Sequence, residues 1–258
     1  MITRRHIVVQ AAAQKGLTKP GYGSLYNWYA VDAAGSKGFL PGYVVPSTTE
    51  FQFGLFDPLG GNSVAGGAMR STRTASQDAP PFWDDIPPFP SGTFVPGSDT
   101  AGFSAVPAGV RTETGVFQFQ THYSLFWSRT EQPSSTEART RFVSYDSTAA
   151  SSSNDIPKAW GCVVRMRRNA TATEQTEPDG TVVELVQDFD GNWYEGVKIG
   201  DNVWTAQNLM TTHFLDGDPI PEGTTDWAAS ATPQRCWLFD DPNTPGTVYS
   251  DEFIEALL

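Results

Sequence analysis

The sequence predicts an α+β fold in which strands and loops outweigh helices, and three observations carry that expectation. The 258 residues include 24 Gly and 19 Pro, which favour turns and interrupt helices. Rings are abundant, with 8 Trp, 8 Tyr and 16 Phe, and ring side chains suit the half-buried surface of a sheet. Between residues 102 and 169 the apolar residues fall in short alternating or aromatic runs divided by turns, the pattern of antiparallel strands. An apolar fraction of 39% in a chain this long supports a buried core and excludes global disorder.

Residues 1–20 read as an N-terminal arm, a short strand or helical turn ended by Pro20-Gly21. Residues 21–33, GYGSLYNWYAVDA, then place Tyr22, Leu25, Tyr26, Trp28 and Tyr29 too early in the chain to find partners before them, so distant chain must cover them. In VVPSTTEFQFGLF, Ser47 or Thr48 caps a short helix with Glu50 in its first turn and Phe51 and Leu55 facing inward. LGGNSVAGGAMRSTRTA reads as a glycine-rich surface passage, without the Gly-Lys-Ser/Thr ending of a phosphate loop. Residues 78–99 hold six prolines and form a long loop pinned by Phe82, Trp83, Phe89 and Phe94. Trp28 and Trp127 read as core, whereas Trp83 is balanced between core and contact. The runs GFSAVPAGVR, GVFQFQTHYSLFWSRTE, ARTRFVSYDS and AWGCVVRMRRN are strands, the third with a bulge or an element end between Phe142 and Tyr145. NATATEQTEPDG, residues 169–180, has no large apolar residue and reads as a polar linker. Beyond it, Asp190-Gly191-Asn192 closes one β-hairpin and Gly200-Asp201-Asn202 makes a second turn. The organisation is therefore an arm (1–20), a first part (21–168), a linker (169–180) and a second part with a tail (181–258).

Charge narrows the function. Residues 1–168 carry 15 Lys+Arg and 12 Asp+Glu, whereas residues 169–258 carry 2 and 17, giving the net −12 of the whole chain. That balance repels phosphate backbones, so no nucleic-acid partner is expected. The Arg165, Arg167, Arg168 cluster reads as a solvated strand-end patch, with a partner contact as its alternative. No apolar run approaches the length of a spanning helix, so no membrane insertion is expected. The opening MITRRHIVVQAAAQKG lacks the pattern of a cleavable signal, which leaves release within a virion as one route out of a cell.

Two sets of residues together carry a family pattern. DGNWYEGVKIGDNVWTAQNLMTTHFLDGDPI (190–220) resembles the beginning of a Fibrobacter succinogenes major paralogous domain. YGSLYNWYAV (22–31), GYVVPSTTEF (42–51), AGGAMRST (65–72), GFSAVPAGVR (102–111), FWSRTE (126–131) and WGCVVRMRRN (160–169) resemble its remainder. The resemblance implies a C-type-lectin-like fold with its two parts in reversed order, and CWLFDDPNTPGTVY (236–249) resembles what normally precedes the YGSLYNWY segment. Three accounts follow: a circular permutation closed within one chain, an exchange in which residues 181–249 complete a neighbouring copy, or an incomplete arrangement whose halves complete separate modules. A family whose termini lie on adjacent strands would let the short linker span them. The first two accounts bring residues 22–33 against residues 181–249, with closure contacts at Tyr22, Leu25, Tyr26, Trp28, Tyr29, Trp193, Trp204 and Trp237.

No catalytic residues are assigned. His6, His122 and His213 are far apart in sequence, and nothing places a base beside a nucleophile. The resemblance extends to the formylglycine-generating-enzyme fold, whose copper-dependent oxidation uses paired cysteines. Cys162 and Cys236 do not form a local pair, and their aromatic surroundings suit buried thiols. Asp188, Asp190 and Asn192 begin like a calcium loop, but Trp193 and Ile199 occupy the positions that need Gly and Glu. LDGDP, WDD and EQPS likewise lack a complete ligand set, so neither a metal nor a cofactor is expected. What remains is an aromatic and polar surface: Phe82, Trp83, Asp84, Asp85, Tyr123, Arg129 and Glu131. The expectation is a non-enzymatic structural and binding module, a bacteriophage fibre, decoration or tail-associated protein located in the virion. Its expected partners are other virion or surface proteins in an oligomer and a host glycan or protein receptor. Alternatives are an extracellular bacterial adhesin and a metal-dependent oxidase or hydrolase on the related scaffold.

Overall fold

A computed structural model describes residues 21–77, 81–87, 92–132, 136–151, 154–223, 227 and 231–238. The N-terminal arm and residues 239–258 lie outside the described residues. The chain is α+β and strand-rich, as expected. Its helices are α1 (Trp28–Lys37), α2 (Thr48–Phe51), which runs into a π-helical turn at Gln52–Phe56, and α3 (Asn62–Met69). Its strands are β1 (Ser24–Tyr26), β2 (Val110–Arg111), β3 (Phe117–Gln118), β4 (Tyr123–Glu131), β5 (Glu137–Ser144), β6 (Asn154–Pro157), β7 (Arg167–Asn169), β8 (Thr181–Gln187), β9 (Trp193–Ile199), β10 (Asn202–Thr205) and β11 (Arg235–Trp237). They form four sheets in the orders β1-β11, β7-β10-β9-β8, β2-β3 and β4-β5-β6.

Local chemistry starts and stops the helices. Asn27 caps α1 by accepting from Ala30 N–H at 3.1 Å, and Gly38 ends it with φ +70°. Ser47 and Glu50 form a reciprocal capping box on α2, worth about 1 kcal/mol. The glycine-rich passage is not surface loop. It is α3, with Ala65, Gly66, Gly67 and Met69 buried, and a Cβ on Gly66 would lie 2.3 Å from Ala149 O. Glycine is there because another backbone passes against the helix.

Two sheets join the first and second parts of the chain. In one, β1 runs antiparallel to β11 with Ser24 opposite Trp237, Leu25 opposite Cys236 and Tyr26 opposite Arg235. In the other, β7 lies against β10. The linker therefore connects β7 and β8, the two edges of one four-stranded sheet rather than neighbouring strands. It is also tied down: Glu174 is buried and takes a two-pronged pair from Arg168, Ala170 N–H donates to Asp201 O, and Asp179 pairs with Lys198 at 2.7 Å. The arginine cluster is not a solvated patch. Arg165 is fully buried, Arg167 pairs with Glu50, and Arg168 pairs with Glu174 and Glu184. Folding brings these carboxylates to the cations from distant or tightly turned chain, which residue spacing does not show.

The β4-β5-β6 sheet separates two buried clusters, because side chains alternate across it. Phe126 and Val143 face one cluster, in which Phe51 meets Trp204 with ring centres 5.4 Å apart and Phe103 packs edge-on against Phe126. Leu125, Trp127 and Ala138 face the other, with Tyr26, Trp28, Phe39 and Tyr194. Of the expected closure residues, Tyr22, Leu25, Tyr26 and Trp204 are buried and Trp237 pairs in β11. Trp28 turns instead toward β4, its Nε1 donating to Ser128 O at 3.1 Å, while Tyr29 and Trp193 are half-buried.

Candidate functional site: an aromatic groove at one end of a sheet

Helix α1 covers only one end of the inner face of β4-β5-β6. At that end Trp127 is fully buried and its Nε1 donates to Tyr26 O at 2.7 Å. At the other end the same face carries Tyr123 and Leu125 on β4, Phe142 on β5 and Ile156 on β6; Leu125 and Ile156 are buried, whereas Tyr123 and Phe142 are half-buried. With Trp160 and Phe119 they line a groove of about 320 Å³. That volume is at the lower end of the roughly 300–1,000 Å³ found for small-molecule pockets.

The walls are held by specific contacts. Tyr123 stands edge-on to both Phe119 (5.4 Å) and Phe142 (5.9 Å). Trp160 Nε1 donates to the Glu113 carboxylate, which fixes the indole at the rim. Phe119 is 47% exposed and has φ +64°, a left-handed backbone that bulky residues rarely adopt. A tight crossing enforces this conformation. Tyr123 N–H donates to Phe119 O at 3.0 Å and Thr121 N–H to Pro107 O at 3.0 Å. Opposite them, Gly109 (φ +64°) comes so close that a Cβ would lie 2.2 Å from Gln118 O.

The expected surface residues do not form one patch. Trp83 is buried, its Nε1 3.2 Å from both Ser71 Oγ and Ala105 O, so it anchors the proline-rich loop rather than contacting a partner. Arg70 lies against its ring, and burial lowers this guanidinium to about 10, with Asp146 opposing. Phe82 is half-buried. Asp84 accepts from Ile86 N–H at 3.0 Å and faces His122 at 3.6 Å. Asp85 takes two hydrogen bonds from Ser76; desolvation would raise its carboxyl, but those donors hold it below its usual range. Tyr123 lines the groove, whereas Arg129 (paired with Glu50) and Glu131 (paired with Lys158) lie toward the far end of β4, about 20 and 26 Å along the strand. Sequence reasoning missed Phe119, Phe142 and Trp160 as groove-lining residues. Only their aromatic character was visible, because the groove draws Phe119, Phe142, Ile156 and Trp160 from separate parts of the chain.

Elsewhere, His213 pairs with Asp190 and His122 with Asp84, so the described histidines do not come together. Desolvation works to raise Asp190, but donors from Thr212, His213 and Thr211 outweigh it and hold the carboxyl at about 2. Asp188 is taken up by Asn192 and Tyr194 within the hairpin. Cys162 and Cys236 are buried and not disulfide-bonded, and burial pushes the Cys162 thiol well above its usual range. They oppose Tyr26 and Leu25, adjacent residues of β1, and so face opposite sides of that ribbon. Among the described residues no group of three or more His, Cys, Asp or Glu has the arrangement to hold a metal ion, and no helix is long and apolar enough to cross a membrane.

A strand-rich α+β domain with an aromatic groove is the class that fold and site define. Its sequence matches the Fibrobacter succinogenes major domain over residues 5–176, and the chain belongs to that family. No curated protein and no solved structure matches it.

Proposed function

We propose that this chain is a non-enzymatic binding module, a circularly permuted C-type-lectin-like domain that grips a glycan in the groove between Phe119, Tyr123, Phe142 and Trp160. The observation that carries this reading is the strained backbone of Phe119, which holds an exposed ring at the lip of an apolar groove. Strain of about 1–3 kcal/mol persists where surrounding structure enforces it, and such sites cluster at ligand clamps. Fixed rings bind at little entropic cost, and ring faces suit the C–H face of a sugar while Glu113 at the rim accepts a hydroxyl. The permutation is supported by the two sheets that join the first and second parts and by the family match, since a collinear match cannot include a segment displaced to the far end of the chain. For its setting we propose a bacteriophage particle, as a fibre, decoration or tail-associated protein, by analogy at the level of fold and sequence resemblance.

A glycan array probed with wild-type protein and with Phe119→Gly tests the groove. Glycine relieves the left-handed strain while removing the ring. The expected result is saturable binding that falls at least tenfold in the variant with no loss of thermal stability. Absence of glycan binding, or binding unaffected by Phe119→Gly, overturns the assignment.

A further inference from the structure

Strand β8 is an open edge of a kind that natural sheets usually protect with Lys, Pro or shortness. Two other edges among the described residues are blunted. β6 has four residues and ends at Pro157, and the outer side of β7 is bridged by Val44, whose N–H and C=O both bond Arg167. β8 has seven residues, includes Val182, Leu185 and Val186, and carries no Lys or Pro. Among the described residues it pairs with β9 alone. A bulge bends its start between Val182 and Glu184, leaving Glu184–Gln187 in regular register. On β9, Glu195 turns its N–H to Gln207 and its C=O to Ala206 N–H, both toward β10. Its partner Leu185 therefore turns its own N–H and C=O to the open side.

Charge indicates what the edge would hold. Residues 171–195 contain seven Asp or Glu and no Lys or Arg, and among the described residues the side chains that pair with them are those of Arg168, Lys198 and His213. An extended basic segment with β-branched residues complements such an edge in both charge and backbone. Residues 4–9, Arg-Arg-His-Ile-Val-Val, have that chemistry, and all but the first fall within the family match. The described chain begins beside Asn208, close to the end of β10, and β10 lies two strands from β8. That is about 10 Å, whereas the eleven residues 10–20 can reach about 36 Å.

We propose that the open edge of β8 is a strand-docking site and that residues 4–9 of a copy of this chain, its own or a neighbour's, are what it holds. The test uses full-length protein carrying Val186→Cys together with one of Ile7→Cys, Val8→Cys or Val9→Cys, mildly oxidised and separated without reductant. Val186 would face a docked strand in the close, non-hydrogen-bonded type of pair that a disulfide can bridge. Because strands have a two-residue period, linkage should alternate: Val8→Cys several-fold above its neighbours, or several-fold below them. A monomer-sized product means the chain's own arm and a dimer-sized product means a neighbour's, and either supports docking. Equal linkage at all three positions, or none, overturns it. Hydrogen exchange of unmodified protein guards against misfolded variants: the Leu185 amide should exchange at least 100-fold more slowly than in a peptide, and fast exchange there overturns the proposal. Charge reversal at Arg4 and Arg5 should lower the linkage, with the effect shrinking in high salt; unchanged linkage at low salt rejects these arginines as the basis of docking.

Discussion

Nε of Arg165 donates to Oδ1 of Asn208 at 2.6 Å, tying the first part of the chain to the second across 43 residues. The same guanidinium donates to Phe103 O and Thr205 O at 2.7 Å and to Ser104 O at 3.1 Å. Burial lowers its pKa to about 9, with Asp99 opposing, so it stays charged at neutral pH. One buried fork therefore satisfies acceptors from two separated segments, 103–104 and 205–208.

Arg165→Met should cost about 3–5 kcal/mol, because the apolar chain leaves those acceptors unpaired in a dry core. Urea unfolding followed by tryptophan fluorescence measures the loss. A change below 1 kcal/mol would show that the fork does not hold the two parts together.

Two adjacent glycines of α3 should respond with opposite sign. Gly66→Ala drives its Cβ into Ala149 O and is expected to destabilise by about 1–3 kcal/mol. At Gly67 the nearest atom is Thr148 Cγ2 at 3.5 Å, an ordinary contact, so alanine should stabilise by up to about 1 kcal/mol through helix propensity. Thermal unfolding of the pair decides it, and equal shifts would contradict the close approach at Gly66.

Neither cysteine should react with a thiol reagent in native protein, and both should react after denaturation. Burial raises the Cys162 thiol and keeps it protonated, and Cys236 is 3% exposed. Rapid native labelling of either would mean that β1 and β11 open readily.

Acid should weaken the linker clamp. The Arg168 hydrogen bonds hold Glu174 at about 2, below its ordinary 4.5. A depressed carboxyl stabilises fully above the unfolded value, and that contribution is lost as pH falls from 4.5 toward 2. Glu174→Gln should be less stable than wild type at pH 7, and the two should converge as pH approaches 2; a constant difference down the series would remove Glu174 from the acid response.

Much of the local structure was legible in the residues. The capping box of Ser47 and Glu50, the hairpin turn at Asp190-Gly191 and the end of β5 before Tyr145 follow from chemistry within a few positions. The demand of Leu25 and Tyr26 for distant partners was legible too, because rings near a chain start must be covered by something. Other features depended on contacts far along the chain. α3 looked like a surface loop because glycine signals flexibility in isolation and close packing only beside another backbone. Trp83 was balanced between core and contact until Ser71 and Ala105 received its N–H.

By itself the sequence determined the α+β class, the family pattern, the acidic second part and the short-range turns and caps, because each depends on composition or near-neighbour spacing. Only the tertiary structure decided that the linker runs between the two edges of one sheet, that Arg165, Arg167 and Arg168 find partners within the fold, and that Phe119 holds a left-handed backbone at the lip of a groove. Those outcomes are set by packing between residues that sequence distance keeps apart.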